Sequence, residues 1–533
     1  MSIESIKLRE YVEKLIEEHL PAKQKEKSEL GEVFTPVTMI ETSYDHFPKK
    51  IWKNPLCTWL DPAGGIGNFP LVLFFWLMIG LNKKIPNKTK RAKHIIEKMI
   101  FIIEINSDNV SVCKKIFKTL CPSATPNIYQ GDFLTLDTSS INWPSSFDCV
   151  IGNPPYNIGG TGLEGSKRTH IIFTEIALKL LNKNGFLSYI CPPSYRETDT
   201  PMNTLFQNGH FTFIKIYGAQ ETFKLFNIQG RVDCFIFQKD TSGTTIIDDE
   251  YNVVNTVHID LNRHIPNFGF TIFEKLYNKV DKIGHLDAFR NTEMSSVKAD
   301  TFGCGKNKIL HLIVEKGKRV FKSSKKHTLA STPKILVNGL GVPYVYYDKG
   351  EYGPSQSPVI ILKPTKNVVN LLQSDFFAFV AWGLRLTGNN NLPYLFNAVP
   401  DISKESNPYK TMSDIKKGFH LTDSEVTFIN DKFNAYEYND VDIIQNCSRK
   451  TLKKRNFSFL FSFLNFFFFK FLNFFFFKFL NFLLFFTLFY NTCLLVRDLT
   501  PIFLSSETLS SSHFFISSIV NLAGFLRYFF ICP

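Results

Sequence analysis

Between about Cys57 and Lys239, short apolar runs alternate with stretches of helical spacing. The runs "CTWLDPA", "MIFIIEIN", "NIYQGDFL", "FDCVIGNPPY", "FLSYICPP", "FIKIYGA" and "RVDCFIFQK" read as strands. Helices are expected around Leu71–Gly80, near Asn109–Leu120 and in "HIIFTEIALKLLNKNG", where a glycine supplies the stop. This alternation predicts the α/β class, with a parallel sheet covered by helices on both faces. Ligands of such sheets sit at the carboxyl ends of the strands. Ahead of this region, residues 1–30 open on the charged stretch "MSIESIKLREYVEKLIEEHL", which reads as an amphipathic helix and lacks the apolar core of a secretory signal.

Past residue 240 the pattern changes. Residues 241–442 are irregular, with clusters such as "NGLGVPYVYYDKGEYGPSQSP", and read as a second, mixed α+β domain. Within it lies a basic run, Glu315–His327, of the kind that forms a solvated loop or touches phosphate. Residues 443–533 form a basic and then phenylalanine-rich tail, in which FLNFFFFK occurs at Phe463–Lys470 and again at Phe471–Lys478. So simple a pattern cannot specify a packed core, because every register is nearly equivalent. Phe479–Val496 is close to a membrane-spanning length. The interrupting lysines and the serine-rich piece that follows favour instead an expanded simple repeat, and a membrane is not expected as a partner except through this tail.

Charge and cysteine usage narrow the class. The formal charge is +13 over 533 residues, which suits a polyanionic partner without identifying one. Ten cysteines are scattered without a C-x-x-C pair or histidines at metal spacing, so no metal is expected and a reducing compartment fits.

The strand ends carry the candidate chemistry. "DPAGGIGNF", Asp61–Phe69, joins a strand to a helix through glycines that permit a tight turn and close approach of a ligand. Glu104 closes the second strand, where a carboxylate can accept from both ribose hydroxyls. Asp132 closes the third and can take an adenine amino group, with Phe133 packing beside it. Asn153-Pro154-Pro155-Tyr156 closes the fourth, where two prolines forbid the sheet to continue. Each alone has an ordinary structural explanation. Four in order at strand ends converge on one crevice. Without a GKS or GKT phosphate loop, they fit a nucleoside ligand better than a nucleoside triphosphate or a dinucleotide.

These residues resemble the S-adenosylmethionine-dependent DNA amino-methyltransferases, in particular the adenine-specific gamma class associated with restriction–modification systems, and related enzymes of large DNA viruses. "GEVFTP" (Gly31–Pro36) resembles the family's upstream cofactor motif. "DPAGGIGNF" resembles its D-P-A-C-G-S-G-x-F loop, with Gly64 in place of the cysteine and Ile66 in place of the serine, and "GNPPYN" matches fully. The order of motifs is that of the gamma class, firm over Gly31–Lys239 and looser beyond. The resemblance implies a Rossmann-like, seven-stranded methyltransferase sheet over residues 31–240, and a target-recognition domain over 241–442. It implies S-adenosyl-L-methionine as cofactor, held by Thr35, Asp61, Ala63, Gly64, Gly67, Glu104, Asp132, Phe133 and Asn153. Asn153, Pro154 and Tyr156 would be catalytic, and Tyr156 and Phe226 would stack on an extruded base.

In that reading the Asn153 side-chain oxygen and the Pro154 carbonyl draw the hydrogens of an adenine amine out of plane, localising the lone pair for methylation. The partner would be double-stranded DNA, the chain a monomer, and the location the cytoplasm or wherever the target DNA resides, such as a viral replication site. N-P-P-Y also serves enzymes that methylate a protein glutamine or an RNA guanine, and an inactive binding relative is a further alternative. The domain of about 200 residues after Lys239 distinguishes DNA recognition from the glutamine case.

Overall fold

The structure, a computed structural model of the chain, describes residues 35–445 without 137–140, 157–167, 228–229, 295–301, 340, 363, 387–392 and 435–439, and also residues 14 and 15. The expected N-terminal helix (apart from those two residues) and the phenylalanine-rich tail from residue 446 lie outside the described residues, as do Gly31–Phe34 of the GEVFTP motif.

The apolar runs form one large sheet. Its strands are β1 (Trp59–Asp61), β2 (Ile100–Glu104), β3 (Asn127–Gln130), β4 (Phe147–Gly152), β5 (Leu181–Cys191), β6 (Gly209–Tyr217), β7 (Val232–Lys239), β8 (Thr245–Asp248) and β9 (Val254–Val257). The order across the sheet is β3-β2-β1-β4-β5-β7-β6-β8-β9. β3, β2, β1, β4 and β5 run parallel, and β7 is antiparallel to both its neighbours. The seven expected strands are therefore all present, in the order 3-2-1-4-5-7-6. Two more extend the β6 edge, so the boundary expected at residue 240 falls inside a single sheet.

Helices accompanying these strands include α1 (Val37–Asp45), α2 (Asn68–Gly80), α3 (Ser107–Leu120), α4 (Thr169–Leu180) and α5 (Ala219–Phe226). Two cores form because successive strand residues point to opposite faces. Trp59, Ile100, Ile102, Cys149 and Ile151 join α1, α2 and α3 on one face. Leu60, Phe101, Ile103 and Val150 join α4 residues Phe173 and Ala177 on the other. Burial on both faces is why these strands read as continuous apolar runs rather than as alternation.

Beyond β9 the chain is mixed α+β, as expected. Helix α6 (Phe270–Ile283) precedes β10 (Phe302–Val314), β11 (Gly317–Ser323), β12 (Lys334–Val337), β13 (Val345–Asp348), β14 (Gly353–Pro354) and β15 (Val359–Ile361). These strands, with β16 (Asp442–Gln445), make a four-stranded sheet, β14-β10-β11-β16, and a three-stranded one, β13-β12-β15. β16 pairs with β11, so the tail boundary expected at residue 443 cuts a strand that belongs to the fold. Helices α7 (Lys366–Leu372), α8 (Asp375–Leu384), α9 (Met412–Phe419) and α10 (Asp423–Lys432) share a core with α6.

A buried polar seam joins the first sheet to this second part. The Arg196 guanidinium pairs with Asp233 at 2.8 Å, both side chains fully buried, and donates to Pro266 O and Asn267 Oδ1. Arg231 pairs with Glu250 at 2.8 Å and donates to the Arg385 carbonyl. The Asn267 amide donates to the carbonyls of Trp382 and Arg385.

Candidate active site

The strand order reverses between β1 and β4, and a crevice opens where adjacent strands send their connections to opposite sides. Asp61 ends β1, Glu104 ends β2, Asp132 follows β3 and Asn153 follows β4, so the four predicted groups lie along one edge of four adjacent parallel strands. Asp61 and the β4 terminus nearly touch: a Cβ on Gly152 would lie 2.9 Å from Asp61 Oδ1.

The glycine turn is built by its own backbone and by Glu104. Gly64 N–H donates to the Ile103 carbonyl at 2.9 Å, and Gly67 N–H to the Gly64 carbonyl at 2.8 Å. Glu104 Oε2 accepts from Gly65 N–H and Oε1 from Asn106 N–H, each at 2.7 Å. One carboxylate thus ties the turn after β1 to the turn after β2. Gly67 has φ +98°, and a Cβ there would also meet Cys113 Sγ at 2.8 Å, so this position is closed to other residues. The two departures from the family loop are absorbed by packing. A side chain at Gly64 would overlap Ile102 Cγ2, and Ile66 packs against the α1–α2–α3 core.

Asp61 is buried, and its Oδ1 accepts from Ala63 N–H at 3.1 Å. Burial first, and Glu104 nearby as a lesser cause, push its carboxyl up to about 8. Asp132 Oδ1 accepts from Leu134 N–H at 2.9 Å, fixing the turn after β3. Phe133 points away from solvent and packs on Phe173 with ring centroids 5.1 Å apart, so it backs the crevice from the core side. Ile105 was not singled out from the sequence. It directly follows Glu104 and is 67% exposed, an apolar side chain at the end of β2 that its place within an apolar run did not set apart in the sequence.

At the turn after β4, Asn153 Nδ2 donates to Thr35 Oγ1 at 3.1 Å, while Asn153 Oδ1 is buried with no hydrogen-bond partner. Pro154 is buried and Pro155 exposed. The Tyr156 hydroxyl is buried beside Asn153, short of hydrogen-bond geometry, and burial holds the phenol well above its ordinary pKa. The Tyr156 carbonyl accepts from Thr169 N–H and from His170 Nδ1, each at 3.1 Å. His170 Nε2 then accepts from the Ser194 hydroxyl at 3.3 Å. Burial pushes the His170 pKa down, consistent with a neutral ring that holds the turn. Phe226, at the end of α5, is partly buried against the same core that Tyr156 touches, and Phe223 on that helix is 51% exposed.

The basic run forms β11 and its flanks. Lys316, Arg319, Lys322, Lys325 and Lys326 are exposed, whereas the Lys318 amine is buried over the Tyr346 ring at 4.4 Å and paired with Asp442. Among the described residues no group of three or more His, Cys, Asp or Glu side chains is placed to hold a metal ion, and no helix is long and apolar enough to cross a membrane.

The family model of the Eco57I restriction-modification methylase matches residues 72–223. An uncharacterized adenine-specific methylase of Mycoplasma pneumoniae (strain ATCC 29342 / M129 / Subtype 1) is 25% identical, the match covering 47% of this chain and 80% of that one. The type II methyltransferase M.VspI of Vibrio sp. (strain 343) is 24% identical over 34% of this chain; the match spans 41% of M.VspI, under half its length. Among solved structures, the type IIL restriction-modification enzyme MmeI in complex with DNA aligns over 74% of each chain at 10% identity, with a TM-score of 0.44. Residues 72–223 thus match an Eco57I restriction-modification methylase domain and contribute strands to a Rossmann-like α/β sheet.

Proposed function

We propose that the protein methylates DNA, transferring a methyl group from S-adenosyl-L-methionine to the exocyclic N6 of adenine within a specific site. The observation that carries this reading is the buried, unpartnered Asn153 Oδ1 at the end of β4. An orphaned buried acceptor costs about 1–3 kcal/mol, which a substrate amine would relieve. The family match and the adenine-specific relative support the same reaction.

The residues present fit the cofactor. Gly65 and Gly67 have positive φ and let the backbone come close to a ligand, and nothing lies within 4 Å of where a Gly65 Cβ would be. A buried Asp61 suits a cationic ligand, because a nearby positive charge favours the carboxylate. Asp61, Ala63, Gly64, Gly67, Glu104, Asp132 and Phe133 are the residues that would hold it, with Ile105 as an apolar wall for its adenine. When bound, S-adenosylmethionine supplies a methyl group already activated on a sulfonium.

The chain's own work is positioning and polarisation. The target adenine must leave the duplex, since its amine is otherwise paired. Tyr156 and Phe226 offer rings for the extruded base. Asn153 Oδ1 and the Pro154 carbonyl accept the two amine hydrogens, so the nitrogen lone pair is freed from the ring and directed at the methyl group. With S-adenosylmethionine bound, the N–C bond would form as the C–S bond breaks, its electron pair staying on sulfur as a neutral thioether, and the nitrogen would give up one proton to solvent. The RNA, glutamine and inactive-binder readings are not favoured: the catalytic residues are intact, and residues 258–445 add a part that a small glutamine methyltransferase has no use for. In the same reading that part recognises double-stranded DNA, the exposed lysines and Arg319 of the β11 region contribute phosphate contacts, and the chain acts as a monomer without a metal, in the cytoplasm or wherever its target DNA resides.

Methylation-aware sequencing of DNA from cells expressing the wild-type chain and Asn153→Ala tests this. Wild type should mark adenines in one short motif. Asn153→Ala should lose the mark, its single-turnover rate falling by about 10²–10³, as when one oxyanion-hole donor is removed. DNA free of adenine methylation, or a near-normal rate in Asn153→Ala, rejects the reading.

A further inference from the structure

Thr35 was assigned to the cofactor by its place in the GEVFTP motif, yet its side chain does something else. Its hydroxyl oxygen accepts from Asn153 Nδ2 at 3.1 Å, and its carbonyl accepts from Asn68 Nδ2 at 3.3 Å. Thr35 is 4% exposed and Asn68 is 7% exposed. Asn68 is the first residue of α2, directly after the glycine turn. Buried Asn68 and Thr35 and half-buried Asn153, from three distant segments, therefore form one line, from the glycine turn through the Thr35 carbonyl and hydroxyl to the turn after β4.

Thr35 is well suited to be the rigid middle of that line. Pro36 follows it, restricts it to extended backbone and starts α1. Its β-branch limits χ1. Helix α1 is in turn pinned to α2 by the Tyr44 hydroxyl, which donates to the Phe69 carbonyl at 3.1 Å.

We propose that Thr35 is a positioning residue for methyl transfer: by accepting from the Asn153 amide nitrogen it points Asn153 Oδ1 at the adenine amine. This rests on the adenine reading above. An asparagine side chain has a donor end and an acceptor end of nearly equal size. Turned the wrong way, Asn153 would present NH₂ to an NH₂ group and could accept nothing. The Thr35 hydroxyl engages the donor end, which leaves the acceptor end unpartnered, as found. The link through Asn68 ties this orientation to the loop that would grip the cofactor.

The test is Thr35→Val, which keeps the shape and removes the acceptor, measured in the full chain by single-turnover methylation at saturating cofactor and by calorimetry of cofactor binding. The rate should fall about tenfold, the loss expected for one hydrogen-bond partner, while cofactor affinity holds. Thr35→Ser, which restores the hydroxyl, should recover most of the rate. Adding Thr35→Val to Asn153→Ala should cost nothing further, because Thr35 acts only through the Asn153 amide that alanine already lacks. Weakened cofactor binding with an unchanged saturated rate, or losses that add, overturns the proposal and returns Thr35 to the cofactor. A wild-type chain that methylates no DNA rejects the functional reading instead. Neutron structures of deuterated wild type and Thr35→Val, in which the amide nitrogen and oxygen are told apart by the deuterons, then decide the positioning role alone: an Asn153 amide held in the same orientation in both overturns it.

Discussion

Asp61 places a titration in the middle of the crevice. Its folded-state value, about 8, lies above the ordinary carboxylate value of about 3.9. Between about pH 4 and 8 the folded chain keeps a proton that the unfolded chain has released. Stability is therefore highest on the acid side of this window and falls as pH rises through it. Asp61→Asn, which cannot ionise, should flatten that fall in chemical denaturation followed across the window. A cationic cofactor favours the carboxylate, so binding to wild type near pH 7 should release a proton and tighten as pH rises towards 8. Calorimetry in buffers of different ionisation enthalpy measures this; equal proton release by wild type and Asp61→Asn would show that another group titrates. Asp61, Glu104 and Asn153 were legible in the sequence because each follows an apolar run directly. The bond from Asn153 to Thr35 was not, because it spans 118 residues and depends on how α1 docks. Nor was the double duty of Glu104, whose two oxygens hold backbone N–H groups of separate turns.

At the scale of elements, the glycine turn and β2 are fitted to each other. A Gly64→Cys change, which restores the residue of the family loop, brings a side chain onto Ile102 Cγ2. Overpacking of this kind costs about 1–3 kcal/mol. Gly64→Cys alone should lower the melting temperature and weaken cofactor binding, and Gly64→Cys with Ile102→Ala should recover much of both. If the single change is silent, the turn is looser than its hydrogen bonds imply. Strands β1, β2 and β4 were readable because both faces are covered and each is a nearly continuous apolar run. β8 and β9 were not. β9 has no buried position and exposes Val254 by 66%, so its four residues carry no apolar core run to detect. The irregular second part was recognised as mixed α+β, but its two small sheets were not resolved. β10 pairs in parallel with β14 and β11 with β16, and such non-local pairings leave no hairpin signal.

For the whole molecule, β16 decides where the chain can be cut. Asp442 pairs with Lys308 at 2.7 Å and accepts from the Tyr352 hydroxyl, so it belongs to the second part rather than to the tail. Truncation after Gln445 should give a folded chain that methylates normally and is more soluble, since exposed phenylalanine runs drive aggregation. Truncation before Asp440 should destabilise the β10–β11 sheet. A soluble, folded, inactive chain ending at Gln445 would give the tail a function. The Arg385 carbonyl, just past helix α8, accepts from both Arg231 and Asn267, and these bonds oppose a jaw-like closure of the first sheet on that helix. Under the proposed activity the compliant partner is then the nucleic acid. The bending and unstacking that present an adenine to Asn153 fall on the duplex, at a few kcal/mol. Base steps that kink readily would favour methylation even where no side chain touches them.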